Sequence, residues 1–277
     1  MTEPEIPPPP PPEPRPQLVP VWAPFAALLA VLMIVSLVGI AVYGVVKASD
    51  PSIHNADDLP DSATLALTFF QDLVFVFGAY VAIKLALGPP VRPRIGLVRV
   101  RDWATALKWG GGAYAAFWAV ALILALLFGN PRDQTLVSDL KAEDSTLILI
   151  GWGILICVLA PVVEEIFFRG FMFGVFVRRM GVIWAALLDG VVFGLGHAPA
   201  APIQLIALGA FGVGLCLLFW RTQSIIPGMA LHALNNSITF GATKNLDAGL
   251  FAAVVVLSVG IVVAGATAVS VRSAETE

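Results

Sequence analysis

The sequence has 277 residues, of which 58% are hydrophobic and only 13% are charged. This apolar content exceeds the ~45–50% of ordinary soluble domains, so the composition indicates an integral membrane protein. A net charge of -3 without a clustered basic face argues against a nucleic-acid-binding surface.

Residues 1–20 carry a run of prolines, Pro7–Pro12, among acidic and basic residues. This composition stays extended and cannot build a core, so we expect a disordered, Pro-rich tail without an assigned role. The apolar run that follows, 21–46, is much longer than the ~7–15-residue core of a signal peptide. We therefore expect it to be retained as the first transmembrane helix.

Seven further apolar segments follow, and most of them approach the ~20 residues that a helix needs to span a bilayer. We expect an all-α, polytopic membrane helix bundle with about eight transmembrane helices. The short connections between spans five and six and between spans six and seven favour antiparallel neighbours. The predicted spans are 21–46, 63–87, 103–128, 146–165, 182–198, 202–220, 224–240 and 248–271.

The distribution of arginine predicts which helix ends face the cytoplasm. Short loops on one side carry most of the arginines, and such loops are typically cytoplasmic, whereas the opposite loops collect acids. We therefore expect a plasma-membrane protein with both termini in the cytoplasm, which agrees with an even number of spans. The arginines on the predicted cytoplasmic side are Arg92, Arg94, Arg99, Arg101, Arg178, Arg179, Arg221 and Arg272.

The most informative stretch is 161–170, Pro-Val-Val-Glu-Glu-Ile-Phe-Phe-Arg-Gly, near the predicted cytoplasmic end of span four. Charged residues are costly inside a membrane, so a function is the default interpretation. Glu165 precedes Arg169 by four residues, which favours an ion pair on one helix face. Glu164 is turned ~100° away and is expected to lack an intrahelical partner. The alternative is that both glutamates reach the membrane interface from a helix end.

Two later segments offer partners for Glu164. Phe193-Gly-Leu-Gly-His197 ends one apolar run, and His232 precedes Asn236 by about one helical turn within another. Taken alone, His197 is equally typical of a packing histidine, and the pair on the later segment is typical of hydrogen bonds between helices. Together with the two glutamates, these residues favour a functional site.

The motifs E-E-x-x-x-R, F-x-x-x-H and H-x-x-x-N, in this order on successive helices, resemble the signature of the CPBP intramembrane proteases. That family includes the CAAX prenyl endopeptidases, which cleave after a prenylated cysteine, and bacterial relatives linked to bacteriocin processing and immunity. The resemblance covers 164–236 and implies an active site inside the bundle. The chain then divides into a tail (1–20), three helices (21–142), a catalytic core (143–241) and a final helix with a short tail (242–277).

The resemblance implies an intramembrane endopeptidase that hydrolyses a peptide bond of a membrane-associated substrate, for which a prenylated C-terminal peptide is one option. Glu164 with His197 would hold and deprotonate a water molecule. His232 with Asn236 would then donate hydrogen bonds to the oxyanion. The expected catalytic residues are Glu164, His197, His232 and Asn236, and the expected supporting residues are Glu165, Arg169 and Phe193.

No cofactor is expected for this mechanism, because the carboxylate itself takes the proton. Zinc is the alternative, since Glu164, His197 and His232 would also make a two-histidine, one-glutamate site with an open position. The expected partners are the lipid bilayer and a peptide or protein substrate in or at the membrane, and no nucleic acid.

Two other classes of protein remain open. A non-enzymatic immunity or scaffold protein would keep the protease fold and use the polar cluster only for helix packing. A proton-relaying transporter would be expected to show repeated halves, and no internal repeat is visible. Among the other intramembrane acids, Asp72 is interpreted as a structural residue that pairs with Lys108 or a backbone donor, and Asp189 has no assigned role.

Overall fold

The computed structural model describes residues 19–88, 91–129, 140, 143–198 and 200–271, so the predicted tail lies almost entirely outside the described residues. Eight long helices form the fold in this part of the chain, beside the short helix Val91–Arg94, and each overlaps one of the eight predicted spans. The prediction of an all-α, polytopic bundle is confirmed. The helices are α1 (Ala23–Ser49), α2 (Asp61–Leu87), α3 (Trp103–Phe128), α4 (Thr146–Met180), α5 (Val182–Leu195), α6 (Pro202–Thr222), α7 (Ile226–Thr243) and α8 (Ala248–Val269).

Six of the described helices are long and apolar enough to cross a membrane, namely α1, α2, α3, α4, α6 and α8. Helix α5 has 14 residues, or about 21 Å at ~1.5 Å per residue, which is shorter than the ~30 Å hydrocarbon core. Helix α7 has 18 residues, and most of its length is buried. These two helices therefore depend on packing against their neighbours more than on contact with lipid.

Local signals fix several helix ends. Asp102 caps α3 by accepting hydrogen bonds from the backbone N–H groups of Ala104 at 2.9 Å and Thr105 at 3.2 Å. The hydroxyl of Thr105 and these N–H groups lower the pKa of the Asp102 carboxyl. Proline stands in the first turn of α6 and of α7, where its missing N–H breaks no helical hydrogen bond. Gly181 has a φ of 78°, which allows the sharp turn from α4 to α5.

Helix α4 is longer than the sequence predicted: it continues past residue 165, the predicted end of the span, to Met180. The expectation that the glutamate pair lies near the end of this helix is therefore wrong. Apolar residues continue the helical packing beyond the pair and are mostly buried. Two π-helical segments, Leu155–Leu159 and Ile166–Phe173, flank the pair. Such segments frequently mark functional sites, because they shift the hydrogen-bond register of the helix.

Helices α5 and α6 pack closely and run antiparallel, as their short connection predicted. A Cβ atom on Gly190 would lie 2.6 Å from the carbonyl oxygen of Gly209, and one on Gly194 would collide with the carbonyl of Leu205. The residue numbers at these contacts rise along α5 while they fall along α6, so the two helices run antiparallel. The small residues thus bring the two backbones together, as is usual between membrane helices.

Candidate active site

Glu165 and Arg169 form the predicted ion pair one turn apart on α4. Arg169 Nη1 donates to Glu165 Oε1 at 2.9 Å, and both side chains are fully buried. Arg169 Nη2 donates to the carbonyl oxygen of Gly212 at 3.1 Å, which ties α4 to α6. The guanidinium carbon lies 4.4 Å from the centroid of the Phe193 ring on α5, so the aromatic face also stabilises the cation.

Asp189 on α5 supplies a second carboxylate for Arg169. Arg169 Nε lies 3.9 Å from Asp189 Oδ1, and the thiol of Cys216 donates to the same oxygen at 3.1 Å. Sequence reasoning left Asp189 without a role, and the structure assigns it to a buried charge cluster around the arginine. A buried cation is costly unless it is paired, so this cluster explains how Arg169 is accommodated.

His232 on α7 faces both glutamates. Its Nδ1 donates to Glu165 Oε1 at 3.2 Å, and its Nε2 lies 3.9 Å from Glu164 Oε2. The ring packs edge-on against Phe193 and Phe211, with 5.7 Å between centroids in each case. A carboxylate only accepts hydrogen bonds, so Nδ1 carries a proton. The second ring nitrogen, Nε2, faces Glu164.

Gly228 on α7 makes room for the Glu165 carboxylate. A Cβ atom at this position would lie 2.7 Å from Glu165 Oε2, closer than side-chain atoms normally approach. Sequence reasoning did not single out this glycine. Its position one turn before His232 on the same helix is the only sequence signal that could have indicated it.

Glu164 is the less engaged of the two adjacent glutamates. Its side chain is 25% exposed, whereas that of Glu165 is fully buried. Glu164 Oε2 is itself buried and has no hydrogen-bond partner among the described residues, and the same holds for Glu165 Oε2. The two glutamates therefore differ in exposure and in their bonds to other side chains, and no described residue of α4 pairs with Glu164, as the helix geometry predicted.

Asp72 on α2 is a further acid near Glu164. It is buried, and its Oδ2 has no hydrogen-bond partner in the described part of the chain. Its carboxyl group interacts electrostatically with that of Glu164. The described residues show no contact between Asp72 and Lys108, one of the two partners expected for it, and Lys108 lines a groove between α3, α5 and α6. The cost of an acid in the middle of a span was a signal that sequence reasoning noted but did not connect to the glutamates.

His197 lies just beyond the end of α5, in the turn that leads to α6. Its Nδ1 donates to the carbonyl oxygen of Phe193 at 2.9 Å, and the two rings lie 4.9 Å apart between centroids. The carbonyl only accepts, so Nδ1 carries the proton and Nε2 presents a lone pair. Phe193 thus contacts both His197 and His232, and the described residues show no direct contact between His197 and Glu164.

Asn236 stands one turn after His232 on α7, as predicted. Its Nδ2 donates to the carbonyl oxygen of Ile156 at 2.9 Å, in the first π-helical segment of α4. Asn235 Nδ2 in turn donates to Asn236 Oδ1 at 3.4 Å. The Asn236 amide therefore links α7 to α4, which is the interhelical role that the sequence left open.

The three residues of the zinc alternative do not converge. Within the described ranges, no group of three His, Cys, Asp or Glu side chains is arranged to hold a metal ion. Glu164 and His232 face each other, whereas no contact of His197 with either residue is found in the described part of the chain. The described side chains therefore form no preassembled three-ligand zinc site.

Two cavities lie against the helices of the site. The larger, about 810 Å³, is an apolar groove between α3, α5 and α6 and contains no motif residue. The smaller, about 510 Å³, lies between α2, the chain at 91–97 and Ile166, two residues after Glu164. The smaller cleft is therefore the one that adjoins α4, the helix that carries the glutamate motif.

Residues 146–238 match the model of a family described as Type II CAAX prenyl endopeptidase Rce1-like. Residues 146–238 are therefore similar to a CPBP protease core. A Bacillus subtilis (strain 168) protein described as "Putative membrane peptidase YdiL" is 30% identical over 80 residues, which is 29% of this chain and 32% of that protein. The match thus spans about a third of the length of this curated relative. No solved structure matches the chain.

The CPBP core begins with α4 and ends within α7, so it contains every residue of the three motifs. The matched region does not include α1, α2 or α3. Asp72 and most of the residues that line the cleft beside Ile166 therefore lie outside the matched region, although they pack against its central helix. The first three helices add groups to the site that the family similarity does not describe.

Proposed function

We propose that the chain is an intramembrane endopeptidase in which Glu164 activates the attacking water. The contrast between the two adjacent glutamates carries this proposal. Glu165 is buried and bound by Arg169 and His232, whereas Glu164 is partly exposed and lies 3.9 Å from His232 Nε2, beyond hydrogen-bond distance. A general base must be both reachable and unpaired. The similarity to CAAX endopeptidases supports the reaction class, and a prenylated C-terminal peptide is one substrate that it suggests.

The reaction is a hydrolysis that balances without a cofactor. Glu164 takes a proton from water while the water oxygen bonds to the scissile carbonyl carbon. The protonated Glu164 then returns that proton to the leaving nitrogen as the C–N bond breaks. General-base and general-acid catalysis of this kind contributes about 10²–10⁴-fold to the rate.

His197 orients the water in this proposal. Its Nδ1 is held by the Phe193 carbonyl, so Nε2 is free to accept a hydrogen bond from the water that Glu164 deprotonates. Phe193 fixes the direction of the ring through this bond and through ring contact. The arrangement follows the general rule that a catalytic histidine is oriented by the partner of its other nitrogen.

His232 and Asn236 stabilise the oxyanion in this proposal. The role requires His232 to carry protons on both nitrogens, with Nδ1–H donated to Glu165 and Nε2–H to the substrate oxygen. Asn236 already donates one N–H to Ile156, so its second N–H is the one available. Donors that are fixed before the reaction stabilise developing charge without reorganisation.

The location of the site is also part of the proposal. The arginine-rich helix ends are expected to face the cytoplasm, which places both termini there and opens the smaller cleft toward that side. Its rim carries Lys84 and Arg92, on the side that the arginine bias assigns to the cytoplasm. Substrate would then reach Glu164 from the cytoplasm or from the adjoining leaflet of the plasma membrane.

The experiment compares two matched variants of the full-length protein in lipid nanodiscs, with a fluorogenic membrane-peptide library as substrate. Glu164→Gln keeps shape and hydrogen bonding but cannot take the proton, so turnover should fall at least ~10²–10⁴-fold with unchanged thermal unfolding. Glu165→Gln should instead lower the unfolding temperature, because it weakens the pair with Arg169. Near-normal turnover in Glu164→Gln would refute the assignment.

A strong chelator tests the zinc alternative in the same assay. Activity that survives chelation supports the direct action of Glu164, and activity that is lost and then restored by added zinc contradicts it.

The non-enzymatic alternative is favoured by one observation, the use of Asn236 as a link between helices. It predicts that wild-type protein cleaves no peptide in this assay.

A further inference from the structure

One face of α2 leads from the protein surface toward Glu164. Val76, Tyr80, Ile83 and Lys84 line the smaller cleft, and their spacing of three to four residues places them on a single face of the helix. Asp72 is the next position on that face, four residues before Val76, and α2 packs there against the turn Ala160–Glu165 of α4 that carries Glu164. The inner end of the cleft therefore lies about one helical turn from Asp72, on the helix that packs against the glutamate motif.

The opposite wall of the cleft is also apolar. It is formed by Ile166 of α4 together with the chain from Val91 to Leu97, and Ile95 and Leu97 are buried there. The charged groups that line the cleft are two cations, Lys84 and Arg92, and no acid is among the lining residues. A ligand that fits this cleft is apolar along its length and negatively charged at its outer end.

The position of the cations sets a length for this ligand. Lys84 follows Asp72 by twelve residues, which is about 18 Å along a helix at ~1.5 Å per residue. An extended peptide advances ~3.3 Å per residue, so about five residues span the distance from the level of Asp72 to that of Lys84. Lys84 Nζ lies 5.9 Å from the centroid of the Tyr80 ring, which holds the ammonium group at the rim.

We propose that this cleft is a substrate-binding subsite for an extended apolar peptide segment with an acidic residue about five positions from the cleaved bond. The proposal rests on the proposed peptidase function, because it names the substrate class of that site. A peptide is the occupant because the cleft continues toward the carboxyl groups that would act on a peptide bond. Basic residues at a cytoplasmic helix end are expected from topology alone, so the five-residue register is the feature that distinguishes a subsite.

The test measures binding without turnover. Full-length Glu164→Gln protein in neutral phosphatidylcholine nanodiscs is titrated with fluorescent apolar peptides. Each peptide carries one glutamate at two, five or eight residues from the scissile bond, on either side of it. Control peptides carry glutamine in place of that glutamate. The peptide with glutamate at five should bind most tightly. The double variant Lys84→Gln/Arg92→Gln should weaken only that peptide, by roughly three- to tenfold, as expected for two partly exposed ion pairs.

Matched variants keep the result interpretable. Arg178→Gln removes an exposed charge on the same predicted side that does not line the cleft, so it should leave all affinities unchanged. Lys84→Glu should reverse the preference for the glutamate-bearing peptide in favour of a lysine-bearing one. This reversal occurs only if the side chain at position 84 contacts the ligand directly.

Three results would each overturn the proposal. The double variant could weaken binding of the glutamine peptide equally, the affinity could be independent of the position of the acid, or anionic lipid could displace the peptide. Register-dependent binding by a wild-type protein that cleaves none of these peptides would leave the subsite standing and count against the peptidase function alone.

Discussion

Replacing Arg169 by methionine should destabilise the protein more than any surface substitution. Arg169 is fully buried and donates to Glu165 at 2.9 Å and to the Gly212 carbonyl at 3.1 Å, with Asp189 at 3.9 Å. Its removal leaves two buried acids without their cation, and breaking a buried pair in this way costs about 3–5 kcal/mol. Arg178→Met, an exposed arginine on the same helix, should stay within about 0.5 kcal/mol of wild type.

The assay is equilibrium unfolding in mixed detergent micelles, followed by circular dichroism. The double variant Glu165→Gln/Arg169→Met should recover part of the loss, because it removes one of the stranded charges. The recovered coupling energy should be about 0.5–3 kcal/mol, the range for residues in direct contact. Additive losses, or an Arg169→Met protein within 1 kcal/mol of wild type at full helicity, would refute the view that this buried ion pair stabilises the fold.

Three further predictions concern catalysis, packing and topology. Asn236→Ala should lower kcat by about 10²–10³ with little change in KM, the size expected for one lost oxyanion donor, and an unchanged kcat would restrict the residue to helix packing. Gly228→Ala should cost about 1–3 kcal/mol by forcing a methyl group against a buried carboxylate, whereas Gly39→Ala on the open face of α1 should not destabilise the protein. Single cysteines at Ser138 and Arg94, in an otherwise cysteine-free protein, should react with impermeant reagents from outside and inside respectively, and the reverse pattern would invert the topology.

Features that depend on neighbouring residues in the sequence were predictable. The apolar runs located all eight helices, because a spanning helix must satisfy its own backbone hydrogen bonds. The pairing of Glu165 with Arg169 followed from four-residue spacing alone. The end of α4 was predicted too early, because the charged residues were taken as a boundary although the sequence beyond them stays apolar.

Features that depend on how helices meet were not predictable from one sequence. The bond from Asn236 to Ile156 requires α7 to lie against a particular carbonyl of a π-helical segment, and no composition signal marks such a segment. Asp72 was expected to pair with Lys108 or a backbone donor, whereas its electrostatic neighbour is Glu164. Both acids had been recognised as costly, but only the register between α2 and α4 shows that they belong together.

The two glutamates show how one helix can give adjacent residues opposite roles. Residues next to each other on a helix point ~100° apart, so packing that encloses one side chain leaves the other in a different environment. Glu165 faces α7, where Gly228 makes room for its carboxylate and His232 binds it. Glu164 is partly exposed, and its Oε2 lies 3.9 Å from His232 Nε2 without a hydrogen bond. The ion pair that stabilises the core therefore also sets the direction of the free carboxylate, and a variant that loses the pair should lose activity even with Glu164 intact.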